Sequence, residues 1–316
     1  MIEGCREAQR RGVVATPLLS PADLLTDEHF AARGTFTTAE VTPGVEAPVF
    51  AGSMEIDGVR IGHRQRAPEP GEHKASFDGP RFTMSSPLGP ASDLPLRGLR
   101  VADLGHGGVG VECGRMLAEY GADVVKVEPP AGDYVRQMTW PIVEGNSLLH
   151  LHTHRGKRSI CLDLKTEDGL EIYRDLVRNA DVVVEAMRPG SLAKLGLGFE
   201  DLQAVNPRIV FCTLSGYGAT GPYRDMPSHG IAYDTWAGLI EPVVDDEGFT
   251  RIPVLPNVGI NVGPMVAALG ILAAVISARE TGEGTSLEVA QSDAAAYMDW
   301  YRIETYKAYE RPADVV

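Results

Sequence analysis

The sequence predicts an α/β protein: a Rossmann-like parallel sheet covered by helices on both faces, preceded by a small α+β segment. Three observations predict it. From Leu99 onward short Val- and Ile-rich runs alternate with amphipathic ones, in the order "LRVADLG", "VECGRMLAEYG", "ADVVKVE", "EDGLEIYRDLVRNA", "DVVVEAM", "FEDLQAVNP" and "RIVFCTLSGYG". Strands of this kind, buried on both faces and separated by helices, pair in parallel through right-handed crossovers. A glycine-rich turn, Gly105-His106-Gly107-Gly108-Val109-Gly110, follows the first run directly. Between Phe77 and Gly98 the chain is dense in Pro, Gly and Ser and without periodicity, as an inter-domain linker is.

These signals divide the 316 residues into a segment 1–77, a linker 78–98 and a sheet domain 99–316. In the first segment "GCREAQRRG" reads as helix, and Ser20-Pro21 opens a second in cap-then-proline order. A polar, Pro-bearing β stretch follows. In the sheet domain a ligand is expected at the carboxyl ends of the strands.

A net charge of −14 argues against a binder of phosphodiester backbones, which needs clustered Lys and Arg. Cys5, Cys113, Cys161 and Cys212 are far apart, so neither a disulfide framework nor a metal site is expected. With no signal-peptide start, the expectation is a cytoplasmic protein. From Asn257 to Ala278 no charge occurs, and about 18 such residues is the usual membrane signature. The Gly, Ala, Asn and Pro264 in that run point instead to a buried core helix from about Met265, and no membrane span is expected.

The turn after the first strand fits G-x-G-x-x-G, and Glu128 follows at the end of "ADVVKVE". In a nicotinamide-dinucleotide site the glycines would admit the pyrophosphate and Glu128 would hold the ribose hydroxyls. In a chain with 35 glycines the match is weak, because any βαβ unit needs a permissive turn there.

The longer patterns are more specific. "PLRGLRVADLG", "LAEYGADVVKVEPP", "HRGKRSICLDLKTEDG", "NADVVVEAMRPGSLAKLGLGFEDLQAVNPRIVFCTLSGYGATGPY" and "GILAAVISARETGEGTSLEVAQSDA" resemble, in order and spacing, the family III CoA-transferases, also called CaiB/BaiF, which include α-methylacyl-CoA racemases. The resemblance runs from about Leu94 to Met298. It implies a Rossmann-like fold that binds coenzyme A as substrate and product rather than NAD, and interlocked dimers in which each chain threads its neighbour. The segment "AQRRGVVATPLLSPADLLTDEHFAARGTF" and "RAPEPGEHKASF" resemble the C-terminal part of the same family, so the tail precedes the head. Such an order arises in the middle of a tandem duplication, in a subunit completed by a partner chain, or by permutation. After about Asp299 the family's usual second half is missing, so a partner chain or an obligate oligomer is expected.

The resemblance also implies site residues. His106, Gly107, Gly108 and Val109 line the nucleotide, with Leu162 and Lys165 from "SICLDLK" and Ala186, Met187 and Lys194 from "EAMRPGSLAKLG". Arg155, Lys157, Arg158 and Arg188 are basic neighbours. Transferases of the family use an Asp that attacks the acyl-CoA thioester, giving an anhydride and then an aspartyl-CoA thioester. Its position falls in "NVGINVG", where this chain has Ile260 and Asn261 and no carboxylate. His229, in "SHGIAYDTWAG", stands where racemases of the family carry a proton-transferring His, and Asp234 or Glu241 are the nearby acids. "SGYGATGPY" is a glycine-rich turn able to donate N–H groups to a thioester oxyanion.

Three readings follow. The first is a CoA-transferase subunit acting on an acyl-CoA and a carboxylic acid, with the Asp supplied by a partner. The second is an acyl-CoA racemase or isomerase using His229, and the third a non-catalytic scaffold.

Overall fold

The computed structural model describes residues 2–13, 20–56, 58–77, 94–138, 141–143, 146–240, 243–252, 257–302 and 305. At its centre lies a six-stranded sheet. In chain order its strands are β1 (Arg100–Leu104), β2 (Asp123–Glu128), β3 (Arg158–Cys161), β4 (Val182–Glu185), β5 (Val210–Ser215) and β6 (Ser286–Ala290). All neighbours are parallel, and the spatial order is β6-β5-β4-β1-β2-β3. This is the doubly wound order, in which the chain reverses direction between β1 and β4.

The apolar runs become strands because each is covered on both faces. On one face α1 (Gly107–Glu119) and the long helix running from Val258 to Thr281 pack Cys113, Leu117, Ala267, Ile271 and Val275 against Val101, Val184 and Cys212. On the other, α3 (Glu167–Arg178) and α4 (Phe199–Val205) set Tyr173, Leu176 and Leu202 on Ala102, Val125 and Val183. Thr166 starts α3 by accepting the Gly169 amide on its side chain, which satisfies one orphan N–H of the first turn. A short helix, α2 (Leu148–Thr153), lies beside α1, and α5 (Gly230–Trp236) precedes the long helix, α6. The last helix, α7, spans Gln291–Met298.

Helix α6 is long and apolar enough to cross a membrane by length and composition. Here one of its sides is part of the sheet core. It begins at Val258, earlier than the sequence suggests, and carries Pro264 inside it. Gly259 and Gly263 let the first turns close against α7, for a Cβ at Gly263 would fall 1.9 Å from Gln291 Oε1.

The N-terminal segment is α+β, as expected. Helices Ile2–Arg10, Pro21–Thr26 and Glu28–Ala32 precede the antiparallel pairs Phe36–Thr42 with Val45–Phe50 and Met54–Ile56 with Val59–Ile61. Ser20 forms a capping box with Asp23. Residues beyond them then follow the outer edge of the sheet, where the His73 amide donates to Ser159 O and the Gly156 amide to Gln65 O. Of the expected linker, 78–93 lie outside the described residues. Residues 94–98 turn against the end of α1, the Leu96 amide donating to Tyr120 O.

Candidate functional site

A cavity of about 570 Å³ opens at the carboxyl end of the sheet, where β1 and β4 diverge. Its first wall is the turn after β1, with His106, Gly107, Gly108 and Val109. Its second is Ala186, Met187 and Arg188 after β4, and its third Ser215, Gly216 and Tyr217 after β5. Open sheets bind ligands at this switch point because neighbouring loops lead off to opposite faces.

The glycines build the first wall. Gly105 and Gly110 touch: a Cβ on Gly110 would stand 2.6 Å from Gly105 Cα and 2.6 Å from Ala186 Cβ, so this contact also joins the walls after β1 and β4. Gly107 has φ +67°, a left-handed conformation that side chains disfavour. Gly110→Ala is therefore expected to cost about 1–3 kcal/mol of stability through overpacking, measured by urea unfolding, and to weaken whatever ligand the crevice holds.

The His106 side chain makes no capping hydrogen bond to α1. The first-turn N–H groups are thus left for a ligand, and their dipole favours an anion. Behind the turn lies a buried charge cluster. Lys126, in the middle of β2, has its ammonium against Gly105 O and 3.1 Å from Asp133 Oδ2. Asp133 Oδ2 is 3.5 Å from His106 Nδ1, and its Oδ1 accepts the Val135 amide. Burial raises the Asp133 pKa, but Lys126 and His106 outweigh it and hold the carboxyl well below its usual range. The Tyr134 ring stands edge-on to His106 at 4.7 Å. In the second wall the Glu185 carboxylate fixes the turn by accepting the Met187 amide at 2.8 Å, and burial pushes its pKa up.

Glu128 has a different role from that of a ribose ligand. Its carboxylate accepts from Arg136 at 2.7 and 3.0 Å, from the Asp133 amide at 2.7 Å and from Ser159 Oγ at 2.6 Å, all buried. Burial raises its pKa, but these partners outweigh burial and leave it depressed. With these acceptor positions filled it is closed to ribose hydroxyls, so the dinucleotide reading of the opening motif loses its acid.

Of the residues the sequence singles out, His106, Gly107, Gly108, Val109, Ala186, Met187, Arg188 and His229 come together around the cavity. Leu162, Lys165 and Lys194 follow β3 and β4, on the same edge of the sheet but outside the lining; Lys165 and Lys194 are exposed. Arg155 and Arg158 lie elsewhere, a correction to their expected place by the nucleotide. Arg158 begins β3 and is paired at 2.8 Å with Asp123, the first residue of β2, at the opposite end of the strands. Arg155 is buried against Glu119 at the far end of α1. Lys157 is buried too, paired with Asp103.

Asp234 also departs from expectation. It is fully buried, and its two oxygens accept the Val258 and Gly259 amides at 2.9 and 2.7 Å, capping α6. It is a structural cap, unavailable as His229's acid. Glu241 lies outside the described residues. Ile260 does reach the cavity: its Cδ1 would be 2.5 Å from a Cβ at Gly108. Sequence reasoning missed Lys126, Asp133 and Tyr134. The available signal was a lysine inside a strand whose neighbours are all apolar.

A doubly wound sheet with a crevice at its switch point is the architecture at which α/β proteins bind nucleotides and cofactor esters. The sequence model of CoA-transferase family III matches residues 96–314, and the chain belongs to that family. It is 34% identical over 215 residues to the succinyl-CoA–L-malate CoA-transferase beta subunit of Chloroflexus aurantiacus, covering 68% of this chain and 52% of that one. Against the probable CoA-transferase Rv1866 of Mycobacterium tuberculosis the identity is 32% over 295 residues, 90% of this chain and 37% of the relative. Residues 94–302 make up about two thirds of the chain, so that match includes much of the N-terminal segment. A CAIB/BAIF family protein from Brucella suis superposes with TM-score 0.63 and 33% identity over 69% of this chain and 59% of its own. The chain spans about half the length of the curated relatives it matches, and less of Rv1866.

Proposed function

We propose that this chain is the acyl-CoA-binding portion of a CoA-transferase, exchanging coenzyme A between an acyl-CoA and a carboxylic acid, with the reacting carboxylate contributed by another chain or another half. The observation that carries this reading is Ile260. Within "NVGINVG", the stretch to which the family resemblance assigns the nucleophilic Asp, Ile260 is the residue that faces the crevice, and it holds an alkyl group. Arg188, exposed at the rim with no ion pair among the described residues, suits the carrier's phosphates.

A partner is supported by an uncovered apolar face. Met265, Leu269 and Ile276 on α6, with Tyr297, Met298, Trp300 and Tyr301 at and beyond the end of α7, are all more than half exposed, Leu269 at 71%. Relatives of this chain include named subunits of a heteromeric transferase. The tail-before-head order within the stretch matched to Rv1866 supports a tandem arrangement.

Calorimetric titration with CoA tests the proposal. Saturable binding is expected, weakened about tenfold in Arg188→Ala by the lost charged contact and less so at high salt. No binding would leave the scaffold reading. The racemase reading predicts α-proton exchange from an acyl-CoA in heavy water. It is disfavoured because Asp234, the acid beside His229, is consumed in capping α6.

A further inference from the structure

With Ile260 facing the crevice and no carboxylate in "NVGINVG", the strongest chemistry in the crevice belongs to His106. Its side chain is 42% exposed to the cavity, while Nδ1 faces the fully buried carboxylate of Asp133 at 3.5 Å. Asp133 Oδ2 makes no hydrogen bond of good geometry with any described residue; Lys126 Nζ at 3.1 Å balances its charge. A buried carboxylate oxygen on that side favours the tautomer with the proton on Nδ1. The Nε2 lone pair then points to the cavity. His229 lines the same cavity but has no carboxylate partner among the described residues.

We infer that this crevice hydrolyses acyl-CoA, with His106 as general base and Asp133 as its positioning residue. The inference rests on the reading that the crevice holds an acyl-CoA. Nε2 of His106 takes a proton from a water molecule as the water oxygen bonds to the thioester carbonyl carbon. The carbonyl π pair moves onto oxygen, which the free N–H groups at the start of α1 stabilise. The pair returns, the C–S bond breaks, and the CoA sulfur receives the proton from imidazolium. The products are a carboxylic acid and free CoA, and His106 is regenerated; neither oxidant nor metal takes part. A transferase nucleophile would compete with water for the same carbonyl, and with no carboxylate in "NVGINVG" water is the acceptor this chain can serve alone.

The test uses the 316-residue chain with acetyl-CoA and succinyl-CoA in ¹⁸O-water. Thiol release is followed with a chromogenic disulfide reagent, and binding is measured by calorimetry on the same preparations. Expected are turnover, one water oxygen in each acid formed, and a fall in kcat of about 100-fold or more in His106→Gln, well beyond any change in affinity measured on the same preparation. Asp133→Asn should lower kcat and move the pH–rate profile, which a purely structural role would not do. If Asp133→Asn fails to fold, the partly exposed His106 still decides the matter. Binding without thiol release, or release that survives in His106→Gln, overturns the inference and leaves the CoA-binding reading intact. Absence of binding overturns both.

Discussion

Replacing Lys157 with methionine is expected to remove about 3–5 kcal/mol of unfolding free energy, the cost of stranding one member of a buried ion pair. Lys157 Nζ lies 2.7 Å from Asp103 Oδ2 and 2.5 Å from Val111 O, and both side chains are fully buried. Asp103 is committed from the other side as well, since its Oδ1 accepts the Gly105 amide at 2.7 Å. Gly114 leaves space for it, for a Cβ there would sit 2.3 Å from Oδ2. Burial pulls the lysine pKa down and Asp103 pulls it back up, with the net shift downward. Methionine fills the same volume, so the loss would report charge rather than a cavity. The double variant Asp103→Asn/Lys157→Met should recover much of it, because no charge is then left unpaired. Urea midpoints decide between the two: equal losses in the single and double variants would mean that the pair is not the cause. Asp103 holds the Gly105 amide at the start of the turn carrying His106, so the single variant should also loosen the crevice.

The parallel sheet was legible in the sequence because its strands are buried on both faces, so "DVVVEAM" and "RIVFCTL" are nearly uninterrupted apolar runs. The turn after β1 was legible for the same reason that it was ambiguous: Gly105 and Gly110 pack backbone on backbone, which any βαβ unit requires. What distinguishes it lies far away in sequence. Glu128 is closed to a ribose by Arg136 and Ser159, and Asp234 is diverted from catalysis by amides 24 and 25 residues downstream. Basic residues misled for a related reason. Lys157 and Arg158 belong to the K-R-S pattern and Arg155 lies just before it, but two of the three are buried and the third is half-buried, each held by an acid from another element. Charge in one dimension does not reveal which end of a strand it occupies. The residues quoted for the family resemblance after β1 and β4 line the crevice, and so does Ile260 from "NVGINVG".

Acidification from pH 6.5 toward 4 is expected to destabilise the chain, through two histidines under its N-terminal segment. His150 and His154 stack with ring centroids 4.7 Å apart, and both are buried. Arg136 lies 3.0 Å from His150 Nε2, and both nitrogens of His154 lack a hydrogen-bond partner among the described residues. Burial is the largest cause lowering both pKa values, that of His150 to about 4. Arg136 adds to it for His150, and Lys157, His150, Lys126 and Arg136 for His154; Glu128 and Asp133 oppose it at His150. A histidine whose pKa is lower folded than unfolded takes up its proton first in the unfolded chain. Stability is then complete above about pH 6.5 and falls as the pH drops toward the folded value, by roughly 3 kcal/mol for His150. Arg136 also donates to Pro68 O at 3.2 Å, and Leu151 packs on Ala67 and Val41, so protonation strains the seam where the N-terminal segment meets α2. Carboxylates such as Glu112, held down to about 2, lose their contribution only below about pH 4.5, in a separate window. Urea midpoints at pH 7.5 and 5.0 should therefore differ strongly for the native sequence and much less for His150→Phe/His154→Leu. The imidazoles of His63 and His73, also lowered by burial, account for the remainder. An undiminished pH dependence in the double variant would place the acid response in those two histidines of the N-terminal segment rather than in the stacked pair.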